Sequence, residues 1–245
     1  MRYLHVLYLD IKNLVMNLAW VFYAVFFPLL LIIILGYLTR FDYGTRIQSY
    51  DYYGVTLIVF SIFNTGTIAA NSFMEDKIKM GNMRIVFSPV HSSWIYISKI
   101  IASAIFDFIC HLFVIGILVY CFQFHLGKNP GWLLLLMLVG EFFGAAVGVC
   151  LCCVLKSESV CNQILSLIIQ LAATLGGVFF SLDRFGDIFM KLSYISPIKW
   201  MIQSCFLCIY DHQLTPVYLC IMSLIVGIGI CLMICQKTWH GEDCL

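Results

Sequence analysis

Residues 72–99 read SFMEDKIKMGNMRIVFSPVHSSWIYISK. Glu75, Asp76, Lys77, Lys79, Arg84 and Lys99 make this the densest charge cluster in the chain, and an apolar run of helix length lies on either side of it. The fold turns on which solvent surrounds those flanking runs.

Of the 245 residues, 62% are hydrophobic and only 11% are charged, and the mean hydropathy is +0.97. A soluble chain carries about a quarter charged residues, and so little polar surface could not cover a core in water. The sequence therefore reads as an integral membrane protein. A spanning helix needs about 20 mainly apolar residues. Six segments qualify: 18–38, 54–73, 98–122, 132–155, 160–181 and 216–235. None has the short alternating strands of a membrane barrel, and backbone groups in hydrocarbon must bond within their own segment. The expected fold is all-α with six transmembrane helices. Pro28, in the first span, is tolerable where neighbouring helices shield the carbonyl it frees.

A net charge of +1 gives no reason to expect nucleic acid as a partner. Most of the twelve cysteines lie in apolar runs (Cys110, Cys121, Cys150, Cys152, Cys153, Cys220, Cys231, Cys235) and read as small hydrophobes rather than disulfide or zinc ligands. The first apolar run is followed by LGYLTRFDY, not by a small-residue cleavage site, so it reads as a span. Cys244 stands one residue from the end, not four as prenylation requires.

With the N-terminus in the cytoplasm, the inner side holds Arg2, Lys12, Lys77, Lys79, Arg84, Lys99, Lys156 and Lys237. The outer side holds Arg40, Arg46, Lys128, Arg184, Lys191 and Lys199. Eight cations against six favour both termini inside, and the 72–99 loop supplies four of the eight. Before the first span, Leu4, Leu7, Ile11, Leu14 and Leu18 form a helical stripe with Asp10, Lys12, Asn13 and Asn17 largely elsewhere, which predicts an amphipathic interfacial helix over 1–17. Residues 182–199 are similar: Phe185, Ile188, Phe189 and Leu192 are interrupted by Asp183, Arg184, Asp187 and Lys191. They predict short re-entrant helices in the outer leaflet, stopped near Pro197, with Tyr194 and Trp200 at the interface.

Within the charged loop, Met74, Ile78, Gly81 and Ile85 recur at helical spacing, and Pro89 ends the helix near Ser88. Ser92 or Ser93 then caps the third span, and Lys99 is expected to snorkel to the inner interface beside Trp94 and Tyr96. Such a two-faced, mixed-charge helix could sit in a groove on a cytoplasmic protein; it could also be an ordinary inner loop held by its positive charge.

The order Glu75…Gly81…Arg84…Ser88-Pro89…Ser92-Ser93…Lys99 resembles the cytoplasmic segment of ABC-2 type permeases. Gly176-Gly177-Val178-Phe179-Phe180 resembles that family's exit from the fifth span, and Leu192…Pro197-Ile198-Lys199-Trp200 its entry to the last. Met83 stands where the family often has an acid, and Ser181 where it has proline. The resemblance covers nearly the whole chain and implies one ABC-2 type transmembrane domain over 1–245. It implies two separate ABC ATPase subunits, which bind ATP and magnesium, and a second permease chain, identical or homologous. In that frame the 74–93 segment is the cytoplasmic coupling helix, with Glu75, Asp76, Lys77, Ile78, Gly81, Arg84 and Pro89 as the ATPase-coupling residues. This chain itself has no phosphate-cradling loop: its only Gly-Lys pair, Gly127-Lys128, is followed by Asn129. No cofactor is expected on it. The protein implied is an exporter of a drug, a lipid-like molecule or a hydrophobic peptide in a bacterial plasma membrane.

Polar residues inside spans are costly, about 2.5–3.5 kcal/mol for a charge at mid-bilayer, and mark candidates for the translocation path. Asp107 and His111, four apart, could pair locally or relay protons. Glu141 lies on the ridge Gly140…Gly144…Gly148, whose small residues admit a close helix, so it could be bonded across that contact or face the path. Asn64, Gln170, Phe179 and Phe180 are further path candidates, together with Thr65, Thr67 and Thr174. Rival functions are an intramembrane enzyme, for which no HExxH or serine-hydrolase motif is seen, and a secondary transporter, for which no inverted repeat is seen.

Overall fold

The computed structural model describes residues 2–41, 47–74, 93–180 and 187–239. They are helical, with no strand among the described residues, and six helices are long and apolar enough to cross a membrane. Helix α1 covers Arg2–Met16, and the spans are α2 (Leu18–Leu38), α3 (Ser49–Met74), α4 (Ser93–Phe122), α5 (Pro130–Leu155), α6 (Glu158–Gly176) and α9 (Thr215–Thr238). Between α6 and α9 lie α7 (Asp187–Ser193) and α8 (Pro197–Tyr210).

Asn17 separates α1 from α2: its extended backbone breaks the helix, and its side-chain oxygen accepts from the Ala19 N–H at 3.1 Å. The chain then turns through a π-helical stretch, Phe22–Phe26, just before Pro28. Proline brings no N–H to the carbonyl four residues back, and the extra residue in the turn lets the Phe27 N–H reach the Phe22 carbonyl instead. Pro28 itself is buried.

Two spans differ from their apolar runs. The second begins at Ser49, five residues early, because its first polar residues find partners: Ser49 donates to the Gly36 carbonyl at 2.7 Å, and Asp51 accepts from the His125 N–H at 3.3 Å. The fifth ends at Gly176, five residues before 181. Gly177 adopts φ 74°, and the Gly177 and Val178 N–H groups close a helix-ending turn on Thr174 and Ala173.

Helix α3 is the axis of the bundle, with α2, α4, α5, α6 and α8 packed around it. Its closest neighbour is α5, and the seam is made of glycine. Ile62 lies on Gly140 and Gly144, and Gly66 on Gly144 and Gly148, so the two helices run parallel. A Cβ at Gly144 would stand 2.7 Å from the Ile62 carbonyl oxygen, and one at Gly66 2.8 Å from that of Gly144. Only bare backbone permits this approach.

Two helices meet at Pro197, one ending before it and one beginning at it. Helix α7 does end at Ser193, but Pro197 opens α8, because a first-turn N–H is unpaired in any helix and a proline there loses nothing. Ile198, Met201, Ile202, Cys205, Cys208 and Ile209 turn inward at helical spacing.

Candidate functional site

The sequence-assigned coupling residues, Glu75, Asp76, Lys77, Ile78, Gly81, Arg84 and Pro89, lie outside the described residues, as do Ser92, Ser181, Asp183, Arg184 and Phe185. What is described is where that segment enters the bundle, at the first turns of α4. Lys99 does not snorkel there. It is 3% exposed, and its Nζ lies 2.5 Å from Asp10 Oδ1. Ser98 donates to the other Asp10 oxygen at 2.9 Å, and Trp94 stacks edge-on against Tyr3, ring centres 5.0 Å apart. Asp10 therefore shares the inward face of α1 with Leu7, Ile11 and Leu14, contrary to the sequence stripe, whereas Leu4 and Leu18 are exposed. A lysine without a counter-ion would be driven to water; a carboxylate one helix away makes burial possible.

The path candidates divide into two groups. Asn64, Asp107 and Glu141 are sealed inside. Asn64 is committed between helices, its amide donating to the Phe60 carbonyl at 2.9 Å and its oxygen accepting from the Tyr23 hydroxyl at 3.1 Å. Glu141, with no exposed surface, accepts from the Thr65 hydroxyl through one oxygen and lies 2.5 Å from His111 Nδ1 through the other. His111 Nε2 lies 2.8 Å from Ser61 Oγ. A closed polar circuit thus ties α3, α4 and α5 together beside the glycine seam. Both imidazole nitrogens are taken, and so is the Thr65 proton, so the local Asp107–His111 pair does not form. Neither Asp107 oxygen has a hydrogen-bond partner among the described residues.

Ser61, His111 and Glu141 stand in the order of a hydrolytic triad. Ser61 is 8% exposed in the middle of a helix, where the backbone N–H groups near it are bonded along the helix axis, leaving no donors for an oxyanion. The arrangement is suited to holding three helices in register, not to receiving a substrate. Sequence reasoning missed Ser61 and the Glu141–His111 pairing, because partners 50 and 30 residues apart leave no local spacing.

The second group lies towards the surface. Phe179 is half-buried, its ring 5.9 Å from Phe60 and edge-on, and Phe180 is exposed. Gln170 is exposed, on the same face of α6 as Gln163, Ser166 and Thr174, which are also exposed. Spaced by three and four residues, these four polar side chains make a continuous ribbon along a helix of membrane length, next to the apolar surface of Leu167, Ile168 and Leu171. Hydrocarbon is a poor solvent for such a ribbon.

Most of the cysteines are buried and pack as small hydrophobes, Cys152 and Cys161 with sulfurs 3.1 Å apart, while Cys121 is exposed, and no group among the described residues is arranged to hold a metal ion.

Six helices long and apolar enough to cross a membrane define a multi-pass membrane protein. The family model of the ABC-2 type transporter matches residues 10–209, and the chain belongs to that family. It is the membrane subunit of an ABC-type transporter, a family that works with ABC ATPase partners. No curated protein matches the chain.

Proposed function

We propose that this chain is the permease of an ATP-driven exporter, pairing with a second permease, identical or homologous, and with two ABC ATPase subunits that bind ATP and magnesium. The observation that carries the reading is the ribbon Gln163, Ser166, Gln170 and Thr174 on α6. Polar groups along a lipid-exposed helix are costly, and they are relieved if the ribbon faces a wet pathway shared with a second chain. Gln170 then lines the path, with Phe179 and Phe180 at its exit greeting a hydrophobic or amphipathic cargo: a drug, a lipid-like molecule or a peptide. Asn64 and Glu141 act as internal ties, not as contacts with cargo, and Asp107 is sealed away from the path.

On the cytoplasmic side, with both termini inside, residues 74–93 form the coupling element. Glu75, Asp76, Lys77 and Arg84 meet charges on the ATPase, Ile78 and Gly81 supply its packing face, and Pro89 breaks the helix before α4. Motion delivered there enters α4 at the turn where Asp10 grips Lys99, so α1 and the root of α4 move as one body. The test is transport into inverted membrane vesicles holding both subunits, with a panel of hydrophobic peptides and lipophilic cations. ATP-dependent accumulation that falls when Gln170 is replaced by leucine supports the reading. ATP-independent accumulation driven by an ion gradient points to a secondary transporter.

A further inference from the structure

At the end of the bundle where α3 begins and α6 stops, a cavity of about 330 Å³ is lined by Tyr52, Gly177, Tyr194, Lys199, Gln203 and Phe206 among others. Its construction follows from α8. Lys199, Gln203 and Phe206 recur at spacings of four and three and so share one face of that helix. The opposite wall is held in place by bonds already made. The Tyr52 ring stacks on Phe206 with centres 5.7 Å apart, and its hydroxyl donates to the Gly177 carbonyl at 2.7 Å. Trp200 donates to the Tyr194 carbonyl at 2.7 Å and fixes the turn that enters α8.

Two lining groups are uncommitted. Lys199 is half-buried and Gln203 exposed, and neither makes a hydrogen bond or ion pair among the described residues. Among the described residues, Lys199 is the only charged one in the lining. An ammonium half withdrawn from water, without a counter-ion among the described residues and walled by aromatic rings, favours a ligand that brings both an anion and apolar surface. The volume is at the small end for ligand sites and suits one polar head with the start of a chain.

We infer that this cavity binds an anionic amphiphile, with Lys199 and Gln203 taking the head and Tyr52, Tyr194 and Phe206 the first part of the tail. The amphiphile is either a lipid of the surrounding leaflet or a soluble acyl anion. The site does not depend on the ATP-driven reading, and it is tested on the permease alone.

The experiment is native mass spectrometry of the full chain titrated with dioleoyl phosphatidylglycerol, with dioleoyl phosphatidylcholine and with decanoate. The wild-type chain retains phosphatidylglycerol or decanoate in preference to phosphatidylcholine. Lys199→Gln weakens that retention about five-fold, the worth of one lysine against an anionic headgroup, and Lys199→Arg keeps it. Gln203→Trp, which fills the cavity and leaves the lysine, weakens it as well and serves alone should Lys199→Gln fail to fold. Loss confined to phosphatidylglycerol assigns the site to lipid, and loss confined to decanoate assigns it to a soluble anion. Equal retention of the two phospholipids with no decanoate bound overturns the inference, as does retention unchanged in both Lys199→Gln and Gln203→Trp.

Discussion

Replacing Gly144 by alanine probes the contact on which the bundle is built. The added Cβ would stand 2.7 Å from the Ile62 carbonyl oxygen, with Phe63 backbone atoms at 3.5 Å, whereas ordinary contact begins at 3.4 Å. The obstacle is main chain inside a helix, so no side chain can swing aside; α3 and α5 must part by about 0.7 Å along that contact. A gap of roughly that size forfeits a quarter to a half of each dispersion contact along the seam, and forced overpacking costs about 1–3 kcal/mol. Alanine's better helix propensity returns about 1 kcal/mol, leaving a net loss of about 0–2 kcal/mol, and about 1–3 kcal/mol relative to the same change at an unobstructed glycine. Gly116 and Gly229 are the controls: a Cβ at either meets nothing within 4 Å, so alanine there is neutral or slightly stabilising. Reversible unfolding of the purified chain in mixed detergent micelles reads the differences directly. Gly148→Ala, which drives the Cβ onto the Gly66 backbone, is the more damaging change. If Gly144→Ala proved as stable as Gly116→Ala, the packing of α3 on α5 described above would be wrong.

Three further outcomes follow from named contacts. Asp10→Asn or Lys99→Met alone strands a buried charge and lowers stability by about 3–5 kcal/mol, while the double replacement recovers most of the loss; a double-mutant cycle in the same unfolding assay measures the coupling, and additive losses would mean the pair is not formed. Glu141→Leu leaves Thr65 and His111 without their partner, at about 1–3 kcal/mol for each unsatisfied group. Its effect is on unfolding rather than on cargo selectivity, and a variant of full stability with changed selectivity would move Glu141 onto the path. A fluorophosphonate probe applied to the folded chain leaves Ser61 unlabelled, as mass spectrometry of tryptic peptides would show; stoichiometric labelling abolished by His111→Ala would revive the intramembrane-enzyme reading.

The six spans were legible because hydrocarbon demands long apolar runs, and no other feature of a sequence is so insensitive to context. Their ends were not. Ser49 and Asp51 look like loop residues until Gly36 and His125 are seen to bond them, and Gly177 looks like span until its φ is known. The ridge Gly140–Gly144–Gly148 was visible as a place for close approach, but its partner Gly66 is a single glycine with no spacing of its own. By polarity alone Asp10 reads as lying off the apolar face of α1, and Lys99 as interfacial. Each is buried only because the other is there. Helix α8 is hidden in the sequence by Pro197, which reads as a stop, although Met201, Cys205 and Cys208 carry the helical period. Among the site residues, chemistry alone singled out Glu141, Asp107 and Asn64, and it could not tell a sealed tie from an open path. Burial separates them from Gln170, which is exposed, because it is set by contacts between helices that no local spacing reveals.

On the proposed function, an ABC ATPase grips the charged segment between α3 and α4. The most direct measurement is cargo-stimulated ATP hydrolysis by the co-purified complex, compared with complexes carrying Arg84→Ala and Glu75→Ala. The expected result is co-elution with the ATPase and stimulation that drops sharply in both variants, with all six spans still folded. Stimulation unchanged in both, or full transport by the permease with no ATPase present, would contradict it.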